Sequence, residues 1–174
     1  MSKREMMHMD VGRFSREFDA RILGMRDADE IFALYRSNPQ YFEAMKSSCT
    51  KEGVLHDLSA LPARKNACDK YYIGFYKGEK LAAVMDLIMG YPTDETAFIG
   101  LFMVHDAFHG GGVGSGIIAQ AEETLREMGM KYIRLGYVES NLQSRAFWYK
   151  NGFRPTGDKS RQEAYSIILM QKTL

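Results

Sequence analysis

The sequence has few of the residues that build disulfide frameworks or metal sites. Its 174 residues include two cysteines, four histidines and four prolines. Cys49 and Cys68 are isolated and form no CxxC pair, which favours a reducing compartment over a secreted, disulfide-stapled scaffold. The histidines show no spacing with these cysteines that would build a zinc site, so we expect no metal.

The sequence also lacks a charge excess and a long hydrophobic run. It has 23 basic and 22 acidic residues, a net charge of +1, so charge gives no reason to expect binding to nucleic acid or a membrane. Residues 1–18 contain no continuous apolar run of about 7 to 15 residues, so neither a signal peptide nor a spanning helix is predicted. We expect a cytoplasmic monomer or homodimer that acts on small molecules or on a local peptide or protein epitope.

The length suits one domain, and we predict a loose N-terminal arm over residues 1–17 followed by a single domain over 18–174. An acidic capping box at residues 27–30 predicts a helix with Ile31, Leu34 and Tyr35 on one face. One or two short helices are expected between residues 41 and 67. The strand patterns predict a mixed α/β sheet built from residues 20–25, 71–76, 81–89, 97–104, 132–138, 153–156 and 164–171.

The clearest functional signal is the segment FIGLFMVHDAFHGGGVGSGII over residues 98–118. A strand-like run leads into three consecutive glycines, and an amphipathic helical pattern follows with Gly114 and Gly116 in its first turn. Glycine lets a backbone approach a ligand closely or adopt a positive φ. The first N–H groups of a helix have no intrahelical partner and lie at the positive end of its dipole. We therefore predict a cradle for the phosphates of a nucleotide-like ligand.

Another phosphate-binding pattern also fits in part. Gly114, Gly116 and Ala119 match the dinucleotide fingerprint G-x-G-x-x-A, and Glu139 lies about 20 residues further on. This interpretation ranks second, because residues 105–111 separate the strand from the fingerprint. A Walker-type loop is not indicated, because the lysine and Ser or Thr that it needs are missing.

A second motif, NLQSRAFWYKNGF over residues 141–153, follows the strand pattern at 132–138, and Asn141 is predicted to cap a helix that runs to about Lys150. Together the two motifs resemble the GNAT superfamily of acetyl-CoA-dependent N-acetyltransferases. In that family V-x-P-x-x-[QR] leads into G-x-G-[IVL]-G-S, and N-x-x-[AS] with [YW]-x-K-x-G-F follows one strand later. The matching residues are Val104, Gly110, Gly112, Val113, Gly114, Ser115, Asn141, Ser144, Trp148, Lys150, Gly152 and Phe153.

The resemblance implies a single mixed, mostly antiparallel central sheet flanked by helices, with acetyl-CoA as the acetyl donor. In the family, the strand before the glycines pairs with the pantetheine arm, and the loop amides hold the pyrophosphate. The asparagine of the second motif bonds the arm, and Phe147 and Trp148 would flank the thioester. The implied acetyl-CoA-binding residues are Phe102, Met103, Val104, His109, Gly110, Gly111, Gly112, Val113, Gly114, Ser115, Asn141, Ser144 and Trp148.

The sequence departs from the family pattern at two positions, one in the glycine-rich loop and one where the family often has its acid. His109 stands where Gln or Arg is usual, and Trp148 where a tyrosine often protonates the leaving thiolate. An indole N–H donates a hydrogen bond but cannot act as an acid. Tyr149 is therefore the predicted acid, with a partly exposed helix tyrosine as the alternative interpretation.

The general base is also not the usual one. Some family members carry a glutamate five residues before the asparagine, where this chain has Gly136. Asp86 interrupts the apolar run LAAVMDLIM and is the first candidate base, with a solvent-facing edge charge as the alternative. Glu139 and His105 are weaker candidates.

The predicted function is direct transfer of an acetyl group to a primary amine of a small molecule or of a peptide or protein. Residues 35–69 and 90–95 are expected to wall the acceptor site, with contributions from Tyr35, Tyr41 and Tyr91. The unusual residues at the acid and base positions leave open a non-catalytic acetyl-CoA-binding sensor. An NAD(P)-binding reductase is the less favoured alternative.

Overall fold

The computed structural model describes residues 9–174, and this part of the chain contains one seven-stranded sheet. The strands are β1 Asp19–Ile22, β2 Lys70–Lys77, β3 Lys80–Met89, β4 Thr96–Val104, β5 Tyr132–Val138, β6 Arg154–Arg161 and β7 Ser166–Thr173, in the spatial order β1-β2-β3-β4-β5-β7-β6. Strands β4 and β5 are parallel, and every other neighbouring pair is antiparallel. The predicted mixed, mostly antiparallel sheet is confirmed.

Five α-helices occur within the described residues: α1 Ala28–Arg36, α2 Pro39–Ala44, α3 Lys51–Ser59, α4 Val113–Glu127 and α5 Leu142–Lys150. The predicted apolar face of α1 is buried and packs with α3 on one face of the sheet. Helix α4 and the aromatic residues of α5 pack on the other face. Strand residues alternate between these two cores, so Tyr72 faces α1 while Ile73 faces α4. No helix in residues 9–174 is long and apolar enough to cross a membrane.

Strands β4 and β5 pair over only part of their length. Their register runs from Thr96 opposite Tyr132 to Ile99 opposite Leu135 and stops there. The next residue, Gly100, is left out of the register between β3 and β4, which is a β-bulge. Beyond Gly100 the two parallel strands diverge and open a gap in the middle of the sheet.

The predicted loose arm over residues 1–17 differs from the structure. The first eight residues lie outside the described residues. In the rest, a 3₁₀ turn buries Phe14 completely, and the Thr124 hydroxyl of α4 donates to the Arg13 carbonyl at 2.8 Å. The prediction is therefore wrong for the described part of the arm, because a core aromatic ring anchors it to α4.

Two local predictions also need correction. The Asp27 carboxylate accepts from the Gly24 N–H at 2.8 Å and does not cap α1, so the predicted capping box does not form at the start of this helix. The penultimate strand, predicted to be short, continues to Arg161 as β6. The pairing of β6 with β7 shifts register between Pro155 and Lys159, where Gly157 has a φ of +94°. The strand continues on the far side of this irregularity.

Candidate active site

A cleft of about 520 Å³ lies where the end of β4 meets the starts of α4 and α5. The residues before and within α2 form its opposite wall. The lining includes most of the predicted acetyl-CoA-binding residues, and the structure thus brings both sequence motifs to one place. These residues are Phe102, Met103, Val104, His109, Gly110, Gly112, Val113, Gly114, Ser115, Asn141, Ser144 and Trp148.

The loop before α4 presents backbone N–H groups that no backbone acceptor in the described chain takes up. The His109 N–H donates to Asp106 and the Gly116 N–H to Gly112, and the amides of residues 110–115 lie between them. Gly110 and Gly112 have φ of +80° and +77°, a conformation that favours glycine. Partnerless amides at a helix N-terminus are a favourable site for phosphate oxygens. The loop has the geometry expected of a pyrophosphate cradle.

The glycines inside α4 have different surroundings. A Cβ on Gly114 would lie 3.0 Å from the Phe147 ring, so glycine here permits close packing of α4 against α5. A Cβ on Gly116 would meet no atom within 4 Å. Because Gly114, Gly116 and Ala119 all lie within α4, they do not form the strand-to-helix turn of a dinucleotide fingerprint.

The His109 side chain turns towards the end of β4. Its Nε2 lies 2.7 Å from the Val104 carbonyl and donates to it, since a carbonyl only accepts. The Asn38 amide donates to the same oxygen at 3.0 Å. The Val104 carbonyl therefore already has two partners. The N–H of His105 bonds to Ala82 of β3, so by strand alternation the backbone groups of Met103 also point to β3, and those of Phe102 point to the open edge of β4.

Asn141 caps α5. Its Oδ1 accepts from the Ser144 N–H at 3.0 Å, which confirms the predicted N-cap. Both residues also line the cleft. The asparagine Nδ2 can therefore donate to a ligand while Oδ1 holds the helix.

A second cleft of about 460 Å³ lies against the first, at the divergence of β4 and β5. Aromatic and aliphatic residues from the two strands, α2, residues 91–92 and β7 form its walls. Five residues line both clefts: Tyr41, Phe102, Asn141, Ser144 and Trp148. The Phe102, Phe147 and Trp148 rings pack against one another, with centroids 4.9 to 6.0 Å apart. Ligands in the two clefts could thus meet at the gap in the sheet.

Tyr41 is the one titratable side chain among the five shared residues. Burial raises the pKa of its phenol, so the hydroxyl stays protonated and can donate a hydrogen bond. The sequence placed Tyr41 in the acceptor wall, but no local pattern indicated that it reaches both clefts. Tyr91 also lines the second cleft. Tyr35 lines neither cleft and bonds to Tyr72 instead.

Asp86 lies directly behind the wall of the second cleft. Its Oδ1 accepts from Lys70 Nζ at 2.7 Å. On the other side, Oδ2 lies 2.8 Å from the position that a Gly100 Cβ would occupy, and Gly100 forms part of the cleft wall. Burial raises the pKa of Asp86, while Lys70 opposes that shift. Asp86 itself lines neither cleft, but its Oδ2 lies beside Gly100, which lines the second one.

The other predicted acid–base groups also line neither cleft. The Tyr149 ring faces the guanidinium groups of Arg145 and Arg154, 5.6 and 5.4 Å from its centroid. Glu139 is exposed and paired with a lysine at 2.6 Å. His105 Nδ1 accepts a backbone N–H within its own turn at 3.1 Å.

The chain resembles known acetyltransferases in sequence profile and in fold. The profile of the Acetyltransferase (GNAT) family matches residues 28–153. No curated protein sequence matches significantly. The structure is similar to an acetyltransferase from Thermus thermophilus, with a TM-score of 0.73 and 20% identity over 90% of this chain and 97% of that one.

Two further solved structures agree in fold. One is the PaiA N-acetyltransferase from Thermoplasma acidophilum in complex with coenzyme A, with a TM-score of 0.66 and 18% identity over 90% of this chain and 99% of that one. The other is the ribosomal-protein-S18-alanine N-acetyltransferase from Escherichia coli, with a TM-score of 0.65 and 13% identity over 88% and 92%. The family profile spans well over half of the chain, including both motifs and the divergent strands. The protein therefore belongs to the GNAT family of acetyltransferases, whose acetyl donor is acetyl-CoA.

Proposed function

We propose that the protein transfers an acetyl group from acetyl-CoA directly to a primary amine. The observation that carries this proposal is that two clefts share five residues at the divergence of β4 and β5. A thioester entering from one side and an amine entering from the other could meet there without a covalent enzyme intermediate. Holding two reactants in contact is a large part of the catalysis of such a reaction.

The first cleft suits acetyl-CoA. The free amides of residues 110–115 would hold the pyrophosphate, and the backbone groups of Phe102, which point to the open edge of β4, would pair with the pantetheine arm as an added strand. Asn141 Nδ2 would donate to the same arm. The bound donor supplies an activated acyl group in its thioester. The protein's task is then to orient that group and to manage the protons of the acceptor.

Asp86 is the proposed general base. The attacking amine must be neutral, so a proton has to leave the acceptor in the second cleft. Asp86 Oδ2 lies beside Gly100 in the wall of that cleft, and Lys70 fixes the carboxylate through Oδ1. Burial raises the pKa of the carboxyl group, which brings it nearer to the range useful for a base at neutral pH.

Tyr41 and Tyr149 are competing candidates for the hydroxyl that assists the leaving thiolate. Because Tyr41 lines both clefts and Tyr149 neither, we expect Tyr41→Phe to lower kcat by about 100-fold and Tyr149→Phe to leave it within about twofold. Initial rates of thiol release at saturating acetyl-CoA measure both. A large loss of kcat in Tyr149→Phe and a small one in Tyr41→Phe would instead assign the acid role to Tyr149.

The proposed function is tested by free-thiol release from acetyl-CoA over a panel of primary amines, combined with thermal unfolding. Ligand at about 100 times its dissociation constant should stabilise the fold by about 2.7 kcal/mol. We expect acetyl-CoA and CoA to do so, and NAD and NADP to have no effect. Stabilisation by acetyl-CoA without thiol release for any amine would favour the sensor alternative. A response to NAD or NADP alone would contradict the proposal.

A further inference from the structure

We propose that the acceptor carries a carboxylate, separated from its amine by an apolar body, and that Arg134 binds this carboxylate in the second cleft. This inference rests on the proposed function, because it assigns the second cleft to the acceptor. It names the chemical class of that acceptor, which neither motif specifies.

Aromatic and aliphatic side chains make up most of the walls of the second cleft. Aromatic rings approach from β4, β5, α2, α5 and two loops, and Ile167 and Leu169 of β7 add aliphatic surface. The aromatic residues include Tyr41, Tyr91, Phe98, Tyr137, Trp148 and Tyr165. Such a lining binds the apolar body of a small molecule, and a few polar groups then fix its orientation.

Arg134 is the one charged side chain among the described residues that line this cleft. It is half-buried on β5, and its Nε donates to Gln171 Oε1 of β7 at 3.2 Å. No salt bridge to Arg134 occurs within residues 9–174. The bond to Gln171 fixes the side chain and leaves the Nη donors available. A guanidinium group is always charged and matches a carboxylate with two parallel hydrogen bonds.

The charge of the wall also excludes a class of acceptor. In the part of the chain that the structure describes, no aspartate or glutamate lines the second cleft, so a polyamine would find no carboxylate for its distal ammonium groups and would face Arg134. Asp86, behind Gly100, is already paired with Lys70. The cleft therefore favours an acceptor with a negative distal group over one with a positive distal group.

The distance between Arg134 and the junction of the two clefts sets how far apart the amine and the carboxylate of the acceptor must be. Arg134 lies opposite Phe98 in the paired part of β4 and β5, whereas Phe102 marks the junction with the first cleft. Four residues of strand separate the two Cα positions by about 13 Å, and the long arginine side chain takes up part of that distance. An amine at the junction and a carboxylate at Arg134 are therefore several bonds apart, as in a dipeptide or an ω-amino acid.

Matched pairs of amines that differ in the carboxylate test this inference. The probes are glycyl-phenylalanine against its C-terminal amide, and 6-aminohexanoate against hexylamine, with spermidine as the polycation. We expect the acid of at least one pair to exceed its partner by about 10- to 100-fold in kcat/KM, the range of a charge-assisted hydrogen bond. Arg134→Met should abolish this preference, and Arg134→Lys should restore part of it. Arg26→Met, at an exposed residue outside both clefts, should leave it unchanged.

A binding measurement separates failure of this inference from failure of the proposed function. Trp148 is the single tryptophan of the chain and lines both clefts, so its fluorescence reports binding of the same probes in the presence of CoA. Tighter binding of the acids that depends on Arg134, without acetylation, would support the inference and contradict the proposed function. Acetylation with no preference for acids, a preference that survives Arg134→Met, or spermidine as the best substrate would each overturn the inference. Absence of binding by every acid would also overturn it.

Discussion

Asp86→Asn is expected to lower kcat by about 10²- to 10⁴-fold, the usual contribution of a general base. An asparagine can still accept from Lys70 but cannot take a proton from the acceptor. The measurement is thiol release at saturating acetyl-CoA and amine, with thermal unfolding of the variant alongside, because the change leaves Lys70 buried without its ion-pair partner. A well-folded variant with near-normal kcat would remove Asp86 from the mechanism.

A change at Gly100 tests the same base without altering its chemistry. A methyl group there would lie 2.8 Å from Asp86 Oδ2, so Gly100→Ala must displace the carboxylate or cover it. We expect kcat to fall by at least about 10-fold, as when a catalytic group is misplaced. Gly24→Ala is the matched control, because a Cβ there meets nothing within 4 Å and lies outside both clefts.

The pH dependence of kcat should reflect the ionisation of the Asp86 carboxyl group. The base acts when ionised, and burial raises its pKa above that of an ordinary aspartate. The wild-type kcat should therefore fall as pH is lowered through this raised pKa, and the fall should begin at a higher pH than the ordinary aspartate range. The residual kcat of Asp86→Asn should not show this fall at low pH.

Phe14→Ala is expected to destabilise the fold by about 3 to 5 kcal/mol, the usual cost of removing a fully buried phenylalanine. Most small domains have only about 5 to 15 kcal/mol of stability, so this is a large share. Urea unfolding measures the change. The physical reason is that Phe14 closes the core beside α4 although it precedes the first strand.

The neighbouring residue provides the control for that experiment. Arg13 is exposed and pairs with Glu127 on the surface, so Arg13→Ala should cost less than about 1 kcal/mol. If Phe14→Ala cost no more than Arg13→Ala, the described part of the arm would not belong to the core.

The sequence predicted those parts of the site that depend on local pattern. The glycine-rich loop, the N-cap at Asn141 and the strand bounds of β5 follow from short-range rules on turns, caps and alternation. The departure at Trp148 was also visible as a single changed residue. These features need no knowledge of what lies across the sheet.

The remaining parts of the site arise from contacts between distant segments. Tyr41 reaches both clefts because α2 sits over the divergent strands, and Arg134 faces a cleft because the pairing with β4 ends one residue later. Gly100 matters because Asp86 lies beside it on another strand. Local sequence patterns do not reveal such contacts between residues that are far apart in the chain. The arm was mispredicted for the same reason, since Phe14 has its partners on α4 and the sheet.

The position of Gly136 limits how this active site can change by mutation. A Cβ there would lie 2.5 Å from Ile167 Cγ2 of the adjacent strand β7. Some family members carry their glutamate at the corresponding position, but in this chain a glutamate requires a smaller residue at 167 first. Shrinking Ile167 alone would leave a cavity, so the two changes are coupled and each is harmful without the other. The close contact of β5 with β7 at Gly136 therefore opposes a glutamate at this position unless residue 167 changes as well.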